Sequence, residues 1–424
     1  MKFYIDQKMI FIDNNGHTNI YTPHSHNTLK INQNVAKILK QLISIGSGVE
    51  FHSNDLLKIF DKKYTLEDIS PVLNKLIQCN FLFESEDDYL KNSFYNKAKN
   101  AKKFDLSLAY LHVTQKCNLN CSYCYNKQNL NNSKVELTTE QWIETIDKLA
   151  SNGVSSFIIT GGEPLIRKDL IDILKHINKL GLKASLLTNG TLLNKNHDIL
   201  ELLDTVTVSL DSIDNSINDS NRENSKHYNI IDNLRNIPPI FKEKFTIRSV
   251  ITNNNIDNID AIKHFVEDEL KMNHILALFA PNSEEEVALI PDYTPYLSKL
   301  RGPESMEFNN GLISCGGCFN ELAIDSNGDI YPCQALIKQD LRIGNVLSPT
   351  WLDDLKNSNI TCGFMDRDVK KISECTECSF RYICGGGCRA IAYNVYGNLN
   401  AHLKCYCDYL KKNSHSILLN TMFK

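Results

Sequence analysis

The spacing of the cysteines constrains this chain more than any other feature of its sequence. The 424 residues contain 14 cysteines: Cys79 stands alone, three lie within 117–124, and ten lie within 315–407. Disulfide scaffolds are typically short and exported, whereas this chain is long and begins with charges among its apolar residues, unlike a signal peptide. In a reducing compartment, clustered thiols are more often metal ligands or catalytic groups. We therefore expect two metal-binding regions.

Composition excludes several classes of protein. The chain carries 46 basic and 50 acidic side chains, for a formal net charge of −4, and 42% of its residues are hydrophobic. The near-neutral balance argues against electrostatic binding of nucleic acid or of an anionic membrane. No apolar run approaches the roughly 18–20 residues that a membrane-spanning helix needs. These features predict a globular cytoplasmic protein with neither a nucleic-acid nor a membrane partner.

The first 88 residues predict a small separate domain. Short alternating segments near the start indicate strands, and helical spacing follows over 31–46, 54–63 and 66–80. This order of strands and three small helices predicts a winged-helix-like module. Residues 89–104 are polar and basic, and we expect them to form a solvated linker.

Residues 105–300 alternate between strand and helix patterns. Strand candidates cover 109–114, 154–160, 183–188, 205–210, 245–252 and 274–280. Six such units predict an α/β fold with a parallel sheet, either open or curled into a partial (β/α)6 barrel, whose ligands bind at the carboxyl ends of the strands. Residues 301–424 are rich in Gly, Cys and turns, and predict a smaller domain folded around metal.

Three cysteines follow the first strand of the core. Cys117, Cys121 and Cys124 have the spacing Cys-x3-Cys-x2-Cys, with Tyr123 before the last. Three thiolates can hold three corners of an iron–sulfur cubane and leave one iron open, while a structural zinc site normally has four protein ligands. The alternative is a zinc knuckle completed by a residue such as His112.

This motif resembles the signature of radical S-adenosylmethionine (SAM) enzymes. The resemblance implies that the open iron chelates the amino and carboxylate groups of SAM, and that reductive cleavage yields a 5'-deoxyadenosyl radical that abstracts hydrogen from the substrate. It also implies an electron donor such as flavodoxin or ferredoxin. Further residues are implied as SAM contacts at the strand ends: Tyr123, Gly161, Gly162, Glu163, Pro164, Thr188, Asn189, Ser209 and Arg222. Glu163 is expected to accept a hydrogen bond from the SAM ammonium group. Ser209 is expected to contact the SAM ribose, and Arg222 to lie near the SAM carboxylate.

The C-terminal cysteines resemble the pattern of the SPASM extension of radical SAM enzymes. That resemblance implies two auxiliary [4Fe–4S] clusters, three clusters in all. The first would be held by Cys315, Cys318, Cys333 and Cys388, and the second by Cys375, Cys378, Cys384 and Cys405. Two zinc sites are the alternative. Of the remaining thiols, Cys79 is expected to pack in an apolar core. Cys362 and Cys407 are expected to take no part in metal binding or catalysis. The other possibilities for these two are a spare cluster ligand or a thiol that returns a hydrogen atom to a substrate radical.

The whole arrangement most resembles SPASM maturases of ribosomally made peptides, of the thioether-forming sactipeptide type. In such enzymes a front domain binds the leader of the precursor peptide as an added strand. The resemblance implies formation of a thioether between a cysteine sulfur and a carbon of the peptide. Carbon–carbon cross-linking, epimerisation and sulfatase-type formylglycine formation remain open, as does a non-catalytic metal-binding adaptor that recognises a peptide.

Overall fold

The computed structural model describes residues 2–14, 16–45, 50–52, 65–101, 104–225, 228–296 and 315–421. The front module contains two antiparallel sheets, with strand orders β5-β1-β6 and β2-β3-β4. Its elements are β1 (Lys2–Ile5), β2 (Ile10–Asn14), β3 (His17–Thr22), β4 (Asn27–Asn32), α1 (Gln33–Ile45), β5 (Glu50–His52), α2 (Leu66–Gln78) and β6 (Leu82–Phe83). The helix predicted over 54–63 lies outside the described residues.

One apolar core joins both sheets to both helices of the front module. Phe3, Ile20, Leu39 and Leu76 are buried in it, and Cys79 packs against it, as expected for a small core residue. Helix α2 begins at a capping box in which Thr65 and Asp68 bond each other's backbone N–H. This core gives the front module its own source of stability.

The prediction of a solvated linker over 89–104 is wrong for most of that segment. The chain there forms α3 (Glu86–Lys91) and α4 (Phe94–Ala101). Phe94, Tyr95 and Ala98 pack against Tyr382 and Val369 of the C-terminal part. The run has a basic composition, yet its apolar side chains share one face of a helix and are covered there.

The core of the molecule is a parallel sheet, which confirms the predicted α/β fold. Strands β7 to β12 lie side by side in chain order. They are β7 (Leu108–Thr114), β8 (Ser156–Gly161), β9 (Lys183–Thr188), β10 (Thr205–Ser209), β11 (Phe245–Ile251) and β12 (Asn273–Leu278). The intervening helices are α5 (Thr139–Ala150), α6 (Leu170–Lys179), α7 (Asn215–Asn221), α8 (Ile230–Arg235) and α9 (Ile259–His264), with a 3-10 segment, His197–Leu202, between β9 and β10.

Apolar periodicity explains how these helices dock on the sheet. Trp142, Ile146 and Leu149 lie on one face of α5 and are fully buried. The predicted capping box at its start is present: the Thr138 N–H donates to Gln141 Oε1 at 2.9 Å, and the Gln141 N–H donates to Thr138 Oγ1 at 3.3 Å. The helices cover one face of the strands and leave the other face to line a cavity.

The C-terminal part extends the same sheet, which the sequence did not predict. Strand β13 (Glu321–Ile324) pairs in parallel with β7, and β14 (Asp329–Tyr331) and β15 (Gly344–Asn345) follow antiparallel. The remaining helices are α10 (Trp351–Asn357), α11 (Asn359–Met365), α12 (Arg381–Cys384), α13 (Arg389–Tyr396) and α14 (Lys404–Thr421). This continuity fixes the C-terminal cysteines relative to the core.

The front module rests on the C-terminal part. Ile12 and Tyr21 form a buried cluster with Ile383, and the Lys8 ammonium lies 2.9 Å from the Glu377 carboxylate. Within the described ranges, no helix has both the length and the apolar character required to cross a membrane.

Candidate active site

The loop after β7 carries the first three cysteines at the carboxyl end of the sheet. The Asn120 N–H donates to the Glu223 carbonyl at 3.1 Å, and the Ser122 N–H donates to the Asn221 carbonyl at 3.0 Å. The Cys117 N–H donates to Asn131 Oδ1 at 3.1 Å. These bonds anchor the loop to segments distant in sequence, so the three thiols are held over the strand ends.

The three thiols are suited to a positively charged partner. Burial raises the pKa of Cys117 to about 11 and of Cys124 to about 12, and it also raises the pKa of Cys121. The negative charge of each neighbouring thiolate opposes ionisation of Cys117 and Cys124 further. Such thiols ionise readily only when a metal centre supplies compensating charge, and its binding displaces their protons.

The placement of the candidate ligands argues against sites that hold a single zinc ion. In the described part of the chain, no three His, Cys, Asp or Glu side chains form a group that could hold one metal ion. His112 is fully buried with both ring nitrogens unpartnered, rather than joined to the thiols. A cubane spaces its ligands more widely than a zinc ion does, so the residues present fit iron–sulfur clusters better than the zinc alternatives.

A network of charged side chains from the core contacts the loop that carries Cys117, Cys121 and Cys124. The Arg222 Nε–H donates to Asp211 Oδ2 at 3.2 Å, and its Nη1 lies 3.8 Å from Cys121 Sγ. The Tyr123 hydroxyl also donates to Asp211, and the Arg222 guanidinium lies 5.6 Å from the centroid of the Tyr123 ring. The predicted SAM contacts Tyr123 and Arg222 are thus brought together, and the sequence did not indicate that Asp211 joins them.

Two glycines let the backbone after β8 approach the cysteine loop. A Cβ on Gly161 would lie 2.2 Å from the Thr114 carbonyl oxygen, and one on Gly162 would lie 2.2 Å from that of Lys116. Gly161 also has a φ of +141°, which L residues rarely adopt. Both glycines line the cavity, so their backbone polar groups can meet a ligand there.

Glu163 lies behind the cavity wall, contrary to the role predicted for it. It is fully buried and accepts bonds from the Thr188 hydroxyl at 2.8 Å, the Asn189 N–H at 2.8 Å and the Leu165 N–H at 3.1 Å. Its oxygens are therefore already used within the protein. Neither Glu163 nor its buried neighbour Pro164 is among the described residues lining the cavity, so the structure assigns both a supporting position.

The buried position of Glu163 allows a prediction of how the stability of the fold depends on pH. Burial raises its pKa from 4.5 to about 7, because its hydrogen bonds offset only part of the desolvation. The folded chain thus holds this proton more tightly than the unfolded chain does. The resulting stabilisation is fully present below pH 4.5 and is lost as the pH rises through 7. We expect Glu163→Gln to remove up to about 3 kcal/mol of pH-dependent change in stability over that window.

The measurement is the thermal midpoint of wild type and Glu163→Gln between pH 5 and 8, with Glu144→Gln as a matched control on the exposed face of α5. A wild-type midpoint that falls no more steeply with pH than that of Glu163→Gln would contradict the raised pKa.

The remaining predicted SAM contacts line the cavity. Thr188 and Asn189 lie at the end of β9, and Ser209 lies at the end of β10. The Asn189 side-chain NH2 donates to Asn118 Oδ1 at 3.0 Å, which ties this strand end to the cysteine loop. The Ser209 hydroxyl has no hydrogen-bond partner in the described part of the chain, so it is available to a ligand.

The cavity lies between the core and the C-terminal part and has a volume of about 300 Å³. The cysteine loop and the strand ends form one side. The C-terminal part contributes the opposite side with Gln334, Ala335, Cys388, Ala390, Ile391 and Asn394. A ligand in this cavity would therefore contact both parts at once.

Four C-terminal cysteines gather beside this cavity. Burial raises the pKa of Cys333, and the nearby Glu321, Cys315 and Cys388 raise it further. Cys388 lines the cavity and lies close to Cys315. Cys318 lies beside Cys315 in turn. The structure thus brings together the set predicted for the first auxiliary cluster, and the buried Arg367 places its Nη1 3.0 Å from Cys315 Sγ.

The second group contains Cys407 in place of the predicted Cys405. Cys375, Cys378, Cys384 and Cys407 line one pocket of about 100 Å³. Cys405 is not among the described residues that line this pocket; like Cys384 it packs against a cluster that contains Tyr293 and Tyr406, and it shares a hydrogen bond with Tyr396. Both cysteines lie on α14 two residues apart, roughly 200° around the helix, so they face different ways. The structure thus places Cys407, and not the predicted Cys405, among the lining residues of this pocket.

Comparison with known proteins agrees with this site. Residues 111–266 match the family model of the radical SAM superfamily, and residues 315–379 match the SPASM iron–sulfur cluster-binding domain. A probable GTP 3',8-cyclase of Methanopyrus kandleri is 30% identical over 218 residues, 48% of this chain and 70% of the relative.

A further relative and a solved structure cover more of the chain. A cysteine-type anaerobic sulfatase-maturating enzyme of Clostridium perfringens is 27% identical over 330 residues, 67% of this chain and 89% of that protein. The structure of Streptococcus suis SuiB bound to precursor peptide SuiA superposes with a TM-score of 0.54 at 20% identity, covering 92% of this chain and 96% of SuiB.

The fold and the site define an iron–sulfur enzyme that uses S-adenosylmethionine. The chain belongs to the radical SAM superfamily and carries a C-terminal SPASM domain. Its cofactors are [4Fe–4S] clusters and SAM.

Proposed function

We propose that this chain is a radical SAM oxidoreductase that cross-links a ribosomally made precursor peptide, with a thioether between a cysteine sulfur and a carbon as the bond formed. The observation that carries the proposal is the cavity itself. The loop of Cys117, Cys121 and Cys124 forms one side, and Cys388 lies on the other. A peptide side chain between them would lie beside both the SAM site and the first auxiliary cluster.

The proposed ligands follow from the three thiol groups. Cys117, Cys121 and Cys124 would hold the SAM-binding cluster, and Cys315, Cys318, Cys333 and Cys388 would hold the first auxiliary cluster. Cys375, Cys378, Cys384 and Cys407 would hold the second. When bound, the clusters and SAM supply one-electron chemistry that removes a hydrogen atom from the substrate and accepts an electron from it. Four thiols in each auxiliary set leave those clusters fully ligated.

The protein's own part is to bind and position. The backbone of Gly161 and Gly162, the Ser209 hydroxyl and the Asn189 amide surround the SAM side of the cavity. Tyr123 and Arg222, braced by Asp211, hold the cysteine loop in place. Leu187, Leu278 and Ile391 give that space an apolar lining.

The front module supports a peptide substrate. In the described residues, β4 pairs with β3 on one side and with no strand on the other. An extended leader segment could add to this edge through main-chain hydrogen bonds. The likeness to SuiB, solved with its precursor peptide, covers 92% of this chain and so includes most of this module.

Epimerisation is disfavoured by the thiols of the cavity. That reaction has to return a hydrogen atom to the substrate radical, for which a free thiol is suited. Every cysteine among the described lining residues belongs to a proposed ligand set. Cys362 is exposed on α11, and Cys407 lines the other pocket. Sulfatase-type maturation remains a second candidate, because the Clostridium perfringens relative matches 67% of the chain.

The test uses anaerobically reconstituted enzyme with dithionite and SAM. We expect release of 5'-deoxyadenosine, and a cysteine-containing peptide encoded beside the gene should lose two hydrogens per modified site when co-expressed. The modified peptide should also resist thiol alkylation at one cysteine, which distinguishes a thioether from a carbon–carbon bond. Absence of 5'-deoxyadenosine would contradict the enzyme assignment, and an unchanged mass with intact thiols would contradict cross-linking.

A further inference from the structure

The cavity wall carries an arginine, Arg248, for which the described residues offer no partner. Among the described lining residues, Arg222 and Arg248 are the charged side chains, apart from the thiols, and none is Asp or Glu. Arg222 is neutralised by Asp211, 3.2 Å from its Nε. Arg248 has neither a hydrogen-bond acceptor nor an ion-pair partner in the part of the chain that the structure describes. The wall therefore presents one cation that no carboxylate of the described residues balances.

The strand geometry directs Arg248 into the cavity. On β11, Phe245, Ile247, Ser249 and Ile251 are buried, and the alternate positions face the other way. Arg248 is one of these alternate residues and is exposed although it lies on a central strand. Its register partner on β10 is Ser209, which also lines the cavity. The guanidinium is therefore presented by a rigid strand next to the SAM side of the cavity.

The surroundings favour an anion over other ligands. The side chains of Thr207 on the neighbouring strand and Gln334 of the C-terminal part also line this cavity, and both are uncharged. A guanidinium forms paired, charge-assisted hydrogen bonds with a carboxylate, whose planar geometry it matches. A lysine or arginine of the substrate would meet an unpaired like charge there.

We propose that Arg248 binds a carboxylate side chain of the substrate peptide, so that the enzyme selects an aspartate or glutamate beside the residue it modifies. This inference rests on the proposed peptide substrate and adds its chemical class. Arg248 acts here as a specificity-determining residue of the cavity.

The experiment measures binding without turnover. Reconstituted holoenzyme saturated with SAM, without reductant, is titrated calorimetrically with blocked pentapeptides that carry Asp, Asn or Lys between flanking glycines. We expect the Asp peptide to bind about tenfold more tightly than the Asn peptide, and the Lys peptide to bind most weakly. Raising the salt concentration should reduce the preference for Asp. In Arg248→Gln the Asp and Asn peptides should bind equally, whereas Arg248→Lys should retain part of the preference.

Arg235→Gln is the matched control, because Arg235 lies on α8 and pairs with Asp232 and Glu269 at the surface. It should keep the wild-type preference. Equal binding of Asp and Asn peptides by wild type, or a preference that persists in Arg248→Gln, would overturn the proposal. Weakened binding of SAM itself by Arg248→Gln would overturn it as well, because Arg248 would then hold the SAM carboxylate. Failure of the proposed function would appear separately, as no peptide-dependent chemistry.

Discussion

Replacement of Cys117, Cys121 or Cys124 by alanine is expected to abolish release of 5'-deoxyadenosine, lowering the rate by at least about a thousandfold. The loop holds these three thiols together over the strand ends, and burial raises the pKa of each. Removing one leaves two protein ligands for the cluster. The measurement is chromatographic quantification of 5'-deoxyadenosine under anaerobic, reducing conditions, with iron determined on the same samples.

Cys362→Ala is the matched control for this prediction. Cys362 lies exposed on α11 and belongs to none of the three thiol groups. Its replacement should leave both the iron content and the release of 5'-deoxyadenosine at wild-type levels. Substantial SAM cleavage by any of the three loop variants would show that the cluster does not depend on that thiol.

Cys407→Ala and Cys405→Ala are expected to differ in iron content although the two residues are nearly adjacent in sequence. Cys407 shares a pocket with Cys375, Cys378 and Cys384, whereas Cys405 packs among tyrosines and pairs with Tyr396. Cys407→Ala should lose iron and sulfide up to about one cubane, together with one signal in the electron paramagnetic resonance spectrum of the reduced enzyme. Cys405→Ala should keep both, with at most a modest loss of thermal stability.

The two variants also distinguish Cys407 from Cys405 as the fourth ligand of the second auxiliary cluster. If Cys405 were the ligand, Cys405→Ala would lose the cluster while Cys407→Ala retained it. Release of 5'-deoxyadenosine in the absence of peptide should persist in Cys407→Ala, because the SAM site lies at the other thiol group. This result would separate damage to the second auxiliary cluster from general unfolding.

Much of the candidate site could be predicted because its ligands lie close together in sequence. The cysteines of 117–124 share one loop, and the strand ends follow in chain order. Adjacent parallel strands in the same order place Gly161, Thr188 and Ser209 at one edge of the sheet. The buried position of Glu163 was not predicted, because it depends on donors from Thr188 and Asn189, more than twenty residues further along the chain.

The sequence by itself determined the α/β class, the six parallel strands and the group of Cys117, Cys121 and Cys124, since hydrophobic periodicity and the spacing of these three thiols are local properties of the chain. Only the tertiary structure decided that β13 joins the core sheet, that Cys388 faces the cavity and that Cys407 rather than Cys405 meets its partners. It also decided that Arg248 has no carboxylate partner among the described residues. These features depend on which face of a strand or helix meets a distant segment, and packing between elements sets that choice.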